Sequence, residues 1–454
     1  MADVIVLGAG PAGVPAALAA AEAGASVTVI DANDRAGGQF HRQLPRDLDV
    51  ARPAALHHGW RAAATGFAAM ADHPRIEHLA GTRVWLVERA DESLIVHTTG
   101  ANRTSLRGRT LVLATGATER VLPFPGWDLP GVMTVGAAQA LVKGQGVRPG
   151  RHVLMAGTGP LLLASASTLL TAGTSIAAVT DANSLPDWRS AVGAGRRTPG
   201  KVVEAGAYLA DLARARVPYR PRHAVIAVDG DGQVERALVA RVDEGWHVVS
   251  GTEESYDVDA VCVSYGFTPN VGIAAALGCE LTEEPAVVAD LAGRTSMDRV
   301  FAAGEVTGIA GASTAALEGA VAGSAAAQRA GFAVARAEVR RQVRRRERHR
   351  RAAEAVLAAA PIRGGWSTWL DDDTIICRCE EATYASVRHA IDDLGARDVR
   401  SVKMTTRCGM GLCQATMCGP SVVDLVTQAT GRRPDDADGL AGRSIAEAVP
   451  LGEL

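Results

Sequence analysis

The sequence predicts an α/β chain in which a second nucleotide-type unit is inserted into a first, followed by a small helical domain that carries cysteines. Three observations lead there. A strand, glycine loop and helix open the chain over residues 3–24. The same pattern recurs over 151–173, and five of the seven cysteines crowd into 377–418. The 454 residues allow about three domains. With 47% apolar and 21% charged residues, the composition excludes a disordered or fibrous chain. High glycine (49 residues) with only 4% aromatics suits tight backbone turns around a nucleotide better than an aromatic-rich β-sandwich.

Each element of the first unit has a physical reason. Residues 3–7 are an apolar run that reads as a buried parallel strand. Gly8-Ala9-Gly10-Pro11-Ala12-Gly13 follows, then an Ala-rich helical stretch and a second strand, 26–30, ending at Asp31. Gly8 permits the tight turn, Gly10 admits a diphosphate close to the backbone, and Gly13 lets helix and strand pack closely. The helix N-terminus supplies free N–H groups. Asp31 can accept from both ribose hydroxyls of an adenosine, and its charge disfavours a 2′-phosphate, so FAD or NAD is expected over NADP.

Later segments extend that site. Gly37-Gly38-Gln39 gives permissive backbone close to a large ligand. Residues 76–113 alternate apolar and polar positions, as an antiparallel insertion would, and end in a strand running into Thr115-Gly116. A further apolar strand in 298–308 ends at Gly304-Glu305. His41 lies near the glycine loop, but a lone histidine is expected to be structural or solvated.

In the second unit, residues 151–173 are again strand, glycine turn and helix, and 175–181 the next strand. Leu162 stands at the third glycine position and no Arg follows Asp181, so a retained scaffold is expected rather than a working nicotinamide site. No C-x-x-C or C-x4-C pair lies near the first glycine loop, which argues against a disulfide reductase. The expected boundaries are 1–118 with 265–330 for the first domain and 119–264 for the insertion. A basic connector over 331–372, a cysteine domain over 373–430 and a tail over 431–454 follow.

The connector holds nine Arg between Arg336 and Arg351 in a helix-forming stretch, read as a solvated face or a docking surface. The net charge of −3 excludes a globally basic nucleic-acid binder. No apolar stretch reads as a membrane span and the N-terminus does not read as a signal peptide, so a cytoplasmic protein is expected. Cys262 and Cys279 read as core residues. In the cysteine cluster, Cys377 and Cys379 form a C-x-C pair, with Cys408, Cys413 and Cys418 farther on. Two irons bridged by sulfides need two thiolates each, which two local pairs supply. C-x-C is short for a zinc knuckle. Cys408 also makes a C-x4-C with Cys413, so spacing alone leaves the second pair open.

The order of the flavin-type segments resembles the two-dinucleotide-binding-domain flavoproteins. There the late strand carries an acid, commonly Asp, which bonds the ribityl chain of FAD; Glu305 departs from it by one methylene. With the ICRCEE and TRCGMGLCQATMCG motifs, residues 1–430 resemble the alpha subunit of opine oxidases, hydrogen cyanide synthases and heteromeric proline or hydroxyproline dehydrogenases. The C-terminal domain is similar to the bacterioferritin-associated ferredoxin type. The resemblance implies FAD on the first unit, held by Gly8, Gly10, Pro11, Ala12, Gly13, Asp31, Gly38, Gln39, Thr115, Gly116, Gly304 and Glu305. Some relatives hold NAD or ATP there. It implies a [2Fe–2S] cluster on Cys377, Cys379, Cys413 and Cys418, with Cys408 a near neighbour. It also implies FMN near a subunit boundary, a D-amino-acid-oxidase-like flavoprotein beta subunit that oxidises the substrate, and a small additional iron–sulfur subunit.

The residues themselves agree with that division of labour: flavin and cluster parts are present, but no substrate-oxidising constellation is. An electron-transfer subunit of an amine or imino-acid dehydrogenase is therefore expected. The alternatives are a self-contained NAD(P)H-dependent flavoprotein reductase feeding its own cluster, and a scaffold that keeps a nucleotide for stability.

Overall fold

The computed structural model describes residues 1–45, 56–57, 59–184, 199–434, 445–450 and 452. They gather into two compact units. The first comprises Met1–Thr118, Thr268–Ala353 and the described part of Ala441–Leu454; the second comprises Glu119–Phe267 and the described part of Glu354–Leu440. Among the described residues no helix is long and apolar enough to cross a membrane.

The first unit is built on one mixed sheet. Its strands run in the order Ile76–Leu79, Val27–Ile30, Ala2–Leu7, Ser105–Leu113, Ser93–Gly100, Thr82–Ala90, and Val300–Ala302 pairs with Ser105–Leu113 beside them. The central pairs are parallel, with Val4 opposite Val27 and Val6 opposite Val112. The expected antiparallel insertion is narrower than its alternation suggested. Ile76–Leu79 joins the parallel sheet beside Val27–Ile30, and only Thr82–Ala90, Ser93–Gly100 and the first half of Ser105–Leu113 are antiparallel. Apolar residues on both faces of the central strands explain the continuous runs: Val4, Val6, Val27 and Val29 face one core, Ile5, Leu7 and Leu111 the other.

Helices Gly13–Glu22 and Ala312–Arg329 cover the first face. They approach closely because Gly319 and Gly323 lie directly on the carbonyls of Ala12 and Ala16, where a Cβ would collide. A chain poor in aromatics thus fills this core by bringing backbones together.

The second unit repeats the architecture. Five parallel strands run in the order Tyr219–Pro221, Ser175–Asp181, His152–Thr158, Ala260–Tyr265, Val132–Thr134. An antiparallel sheet of His223–Asp229, Arg236–Arg241 and Glu254–Asp257 accompanies them. The cysteine segment does not stand apart from this unit. Trp366, Trp369, Ile376, Val387, Val402, Val422 and Val426 share one hydrophobic core with Phe124, Val225, Trp246 and Val261. Helix Gly419–Thr430 is anchored by the Ser421 hydroxyl on the Val121 carbonyl, 3.3 Å, and by an ion pair between Asp424 and Arg120.

Within the second unit Glu119 caps helix Val135–Gln145, its Oε2 accepting from Gly136 N–H at 2.8 Å. Its other oxygen is shielded and without a partner, and burial pushes the acid from 4.5 up to about 7. A folded value above the ordinary one favours the protonated acid, so this group costs stability as pH rises from about 4.5 through about 7. Glu119→Gln is therefore expected to stabilise the second unit at about pH 8 by on the order of 3 kcal/mol, and by much less at about pH 5. Denaturant unfolding at the two pH values checks this; an equal effect at both contradicts it.

Candidate cofactor sites

The first glycine loop joins strand Ala2–Leu7 to helix Gly13–Glu22 at the carboxyl edge of the sheet. Gly8 has φ +100°, and Gly13 sits against the Gly8 carbonyl, so both are glycine for reasons internal to the protein. Gly10 is different. A Cβ there would meet only the Gly38 Cα, at 3.7 Å. Protein packing does not demand glycine at this position, but a diphosphate lying on the backbone does. Asp31 is buried at the end of the next strand, and its Oδ2 accepts from the Ala9 N–H of the loop at 2.5 Å. Its Oδ1 takes Asn33 N–H at 2.7 Å, so the acid is tied to the loop it was expected to serve.

The remaining residues expected at this site arrive from three further segments. Gly37 N–H donates to the Ala9 carbonyl at 2.8 Å, and Gly38 packs so closely on Gly10 that a Cβ would lie 2.9 Å from its Cα. Thr115 and Gly116 are joined to Asn270: Thr115 Oγ1 donates to its carbonyl at 2.8 Å, and Asn270 N–H donates to the Gly116 carbonyl at 2.9 Å. Gly304 lies on Ala12, where a Cβ would be 2.8 Å from the Ala12 Cβ. Gln39 is exposed and holds Arg42 through its Oε1, 2.9 Å from Nε. His41 is buried in an aromatic group with Phe40, His57, Trp60 and Phe67, and thus has a packing role.

Glu305 is half-buried, and its Oε1 accepts from Gly311 N–H at 3.3 Å. Burial, reinforced by Glu318 nearby, raises its carboxyl above the usual range. Glu318 was not singled out in the sequence. It is 4% exposed, and its Oε2 accepts from Gly304 N–H at 3.0 Å and Thr307 Oγ1 at 3.2 Å. Its Oε1 accepts from Arg346 Nε at 3.0 Å and Arg350 Nη2 at 2.8 Å. Two arginines of the basic helix Arg336–Ala358 are therefore not solvated but fix the segment that carries Gly304 and Glu305. The available signal was a lone acid in an Ala-rich helix, which alternation and motif spacing do not single out.

The second glycine loop is closed by the protein itself. Leu162 is 1% exposed beneath helix Pro160–Thr171. Asp181, the position of a ribose-binding acid, is 1% exposed, its Oδ2 accepting from Tyr219 Oη at 2.7 Å and its Oδ1 from Asn183 N–H at 2.9 Å. Asn183 Nδ2 donates to Thr158 Oγ1 at 2.6 Å and to the Pro361 carbonyl at 3.1 Å. Trp246 Nε1 donates to Asn183 Oδ1 at 3.2 Å, and Trp369 stacks on Trp246 with centroids 6.1 Å apart. These contacts tie Asp181 and Asn183, at the strand end, to their own unit.

The cysteines converge from strand Ile375–Cys377 and the loop before helix Gly419–Thr430. Cys377, Cys408 and Cys418 are buried, Cys413 is half-buried and Cys379 is exposed. Hydrogen bonds from Cys408 and Cys418 hold the Cys377 thiol far below the usual range, and those two thiols are pushed up in turn. Cys413 stands beside Cys379, and burial raises its thiol. At Gly411 a Cβ would lie 3.3 Å from Cys379 Sγ, so the loop closes directly over that thiol. Among the described residues no three ligating side chains close on a point for a single metal ion. The thiols stand as two neighbouring groups, and Arg378 between the first two carries a shielded Nε–H without a partner. Soft thiol donors gathered in two groups fit a thiolate-bound binuclear cluster.

A family model described as pyridine nucleotide-disulphide oxidoreductase matches residues 2–320, and one described as a BFD-like [2Fe-2S] binding domain matches residues 375–428. An opine oxidase subunit of Rhizobium meliloti is 32% identical over 100% of this chain and 87% of its own length. The chain belongs to that family. Hydrogen cyanide synthase subunit HcnB of Pseudomonas aeruginosa is 31% identical, covering 98% of this chain and 97% of its own. The L-proline dehydrogenase from P. horikoshii shares the fold, with TM-score 0.70, 20% identity and coverage of 100% of this chain and 79% of that one. These families imply FAD on the first unit and [2Fe–2S] over 375–428. They lend no support to FMN.

The two sites can be tested separately. Gly10→Val is expected to lose FAD while far-ultraviolet circular dichroism stays unchanged, because only the ligand path is obstructed; stoichiometric FAD on the purified variant contradicts the site. Ser at Cys377, Cys379, Cys413 or Cys418 is expected to abolish or distort the cluster's visible absorption and its electron paramagnetic resonance signal, with Cys408→Ser milder. Loss with Cys408→Ser and retention with Cys418→Ser reverses the ligand choice.

Proposed function

We propose that this chain is the electron-transfer subunit of a heteromeric flavin-dependent dehydrogenase of amines or imino acids, of the opine, proline or hydroxyproline type. Its partner is a D-amino-acid-oxidase-like flavoprotein that oxidises the substrate at C–N, and the complex works in the cytoplasm. The observation that carries this reading is the full-length likeness to subunits of opine oxidase and hydrogen cyanide synthase. The bonding of Asp181, Asn183 and Trp246 to one another or to their own unit supports an electron donor other than a nicotinamide nucleotide. In this reading electrons come from a flavoprotein partner, and the naming of its relatives as subunits supports a multi-subunit assembly.

In this reading the chain's own residues bind, orient and shield. Gly8–Gly13 and Asp31 hold the adenine end of FAD, and the segment around Gly304 and Glu305 is kept rigid by Glu318, Arg346 and Arg350. The half-buried Glu305 carboxyl, raised by desolvation, keeps its proton at higher pH than a solvated acid does. Cys377, Cys379, Cys413 and Cys418 hold the cluster. When bound, FAD exchanges electrons in pairs or singly and the cluster one at a time.

The isolated chain is expected to show no dye-linked oxidation of proline, hydroxyproline or opines and no rapid flavin bleaching by NADH under anaerobic conditions. Co-expression with a D-amino-acid-oxidase-like beta subunit is expected to confer amine oxidation. A single-chain protein that oxidises one of these substrates unaided, or is bleached rapidly by NADH, overturns the proposal.

A further inference from the structure

The basic helix Arg336–Ala358 has two unlike faces. Its inner face is fastened to the first unit. There Arg346 and Arg350 meet Glu318, and Arg350 Nη2 also donates to Thr307 Oγ1 at 2.9 Å. The opposite face carries Arg344, Arg345, Arg348 and Arg351, all exposed. Their spacing of three and four residues sets them side by side as one cationic stripe. Among the described residues none of the four has an ion-pair partner.

The fold does not call for this stripe. Glu318 already holds the helix through Arg346 and Arg350, and any polar helix former would serve on the outside. Like charges at these spacings repel, so the four arginines work against the helix they stand on. Their charge is also local. The chain carries −3 overall, and residues 336–351 hold nine Arg against two Glu, so the rest of the chain carries −10. An extended polyanion such as a nucleic acid or an anionic bilayer would repel that remainder while attracting the stripe. Residues 344–351 include no apolar side chain that could enter a bilayer. A patch of carboxylates on a protein meets the stripe alone, and guanidinium groups pair with carboxylates through two N–H donors at once.

We propose that Arg344, Arg345, Arg348 and Arg351 form a docking surface for an acidic face of the flavoprotein partner subunit, steering and orienting it as the complex assembles. This rests on the partner reading above. The same helix supports the choice of occupant. Across its thickness, about 10 Å, the inner arginines hold the Glu318 carboxylate that fixes Gly304, beside Glu305. A protein seated on the stripe is thus close to the expected flavin site, as a subunit that hands over electrons must be.

The test mixes the purified full chain with its D-amino-acid-oxidase-like beta subunit and follows the association rate over a range of salt concentrations. With the unsubstituted chain the rate is expected to fall steeply as salt rises. A variant combining Arg344→Gln, Arg345→Gln, Arg348→Gln and Arg351→Gln leaves the inner face intact and is expected to keep its circular dichroism spectrum. Its association is expected to be at least about tenfold slower at low salt, with a flattened salt dependence. Lys at the same four positions is expected to restore most of the rate. Equal rates and salt slopes for the unsubstituted chain and the Gln variant overturn the inference and leave the partner reading standing. Should the Gln variant fail to fold, Arg344→Gln with Arg348→Gln decides: a loss of rate of about threefold or more supports the stripe, and a smaller one refutes it. Retention of the unsubstituted chain on phosphatidylglycerol vesicles or duplex DNA, lost in the Gln variant, assigns the face to such polyanions and overturns the inference. Failure of the unsubstituted chain to bind the beta subunit at any salt concentration overturns the partner reading and this inference together.

Discussion

A single buried carboxylate organises the first unit. Glu318 accepts from the backbone of Gly304 through one oxygen and from two arginines of the long basic helix through the other. A carboxylate with 4% exposure is costly unless its charge and lone pairs are met, and here both are. The arrangement spans sequence separations that no local motif covers. It sets the Gly304-Glu305 turn against Ala12 and thereby closes one side of the glycine loop. It also explains why part of a helix that reads as a solvated polyelectrolyte is docked.

The second unit keeps the parallel sheet order and the glycine turn, and the polar side chains at its strand end are bonded within the unit. Asp181 is bonded to Tyr219 and Asn183, and Asn183 to Thr158, Trp246 and the Pro361 carbonyl. The residues after Pro361 continue into the core shared with the cysteine helices, so the insertion acts as a platform for the thiol site. Burial of Trp246, Trp366 and Trp369 in that core gives a large apolar area in a chain otherwise short of aromatics.

The thiol site and the glycine loop differ in how they are prepared. At the loop, the protein leaves space and backbone approach at Gly10. At the cysteines it brings thiols together, with Cys377 drawn toward thiolate by its neighbours Cys408 and Cys418. Thiolates are the ligating form, so this polarisation suits metal binding. The presence of Cys408 in the buried group is a feature that spacing alone could not resolve.

Much of this protein is local and therefore legible in its sequence. Strand runs, G-x-G-x-x-G, Asp31 and the C-x-C pair depend on periodicity and short spacing, and each falls where backbone geometry requires it. Leu162 at the third glycine position of the second loop is legible in the same way, and it is buried beneath its helix. What the tertiary structure alone decided involves partners distant in sequence. The pairing of Glu318 with Arg346 and Arg350, the bonding of Asp181 and Trp246 to Asn183, and the seating of Arg378 on Trp127 belong to this class. So does the parallel placement of Ile76–Leu79, whose alternation fits either strand direction. Sequence pattern reports which face of an element is apolar, whereas the partner of a buried charge is set by which elements pack together, and only the folded chain brings those together.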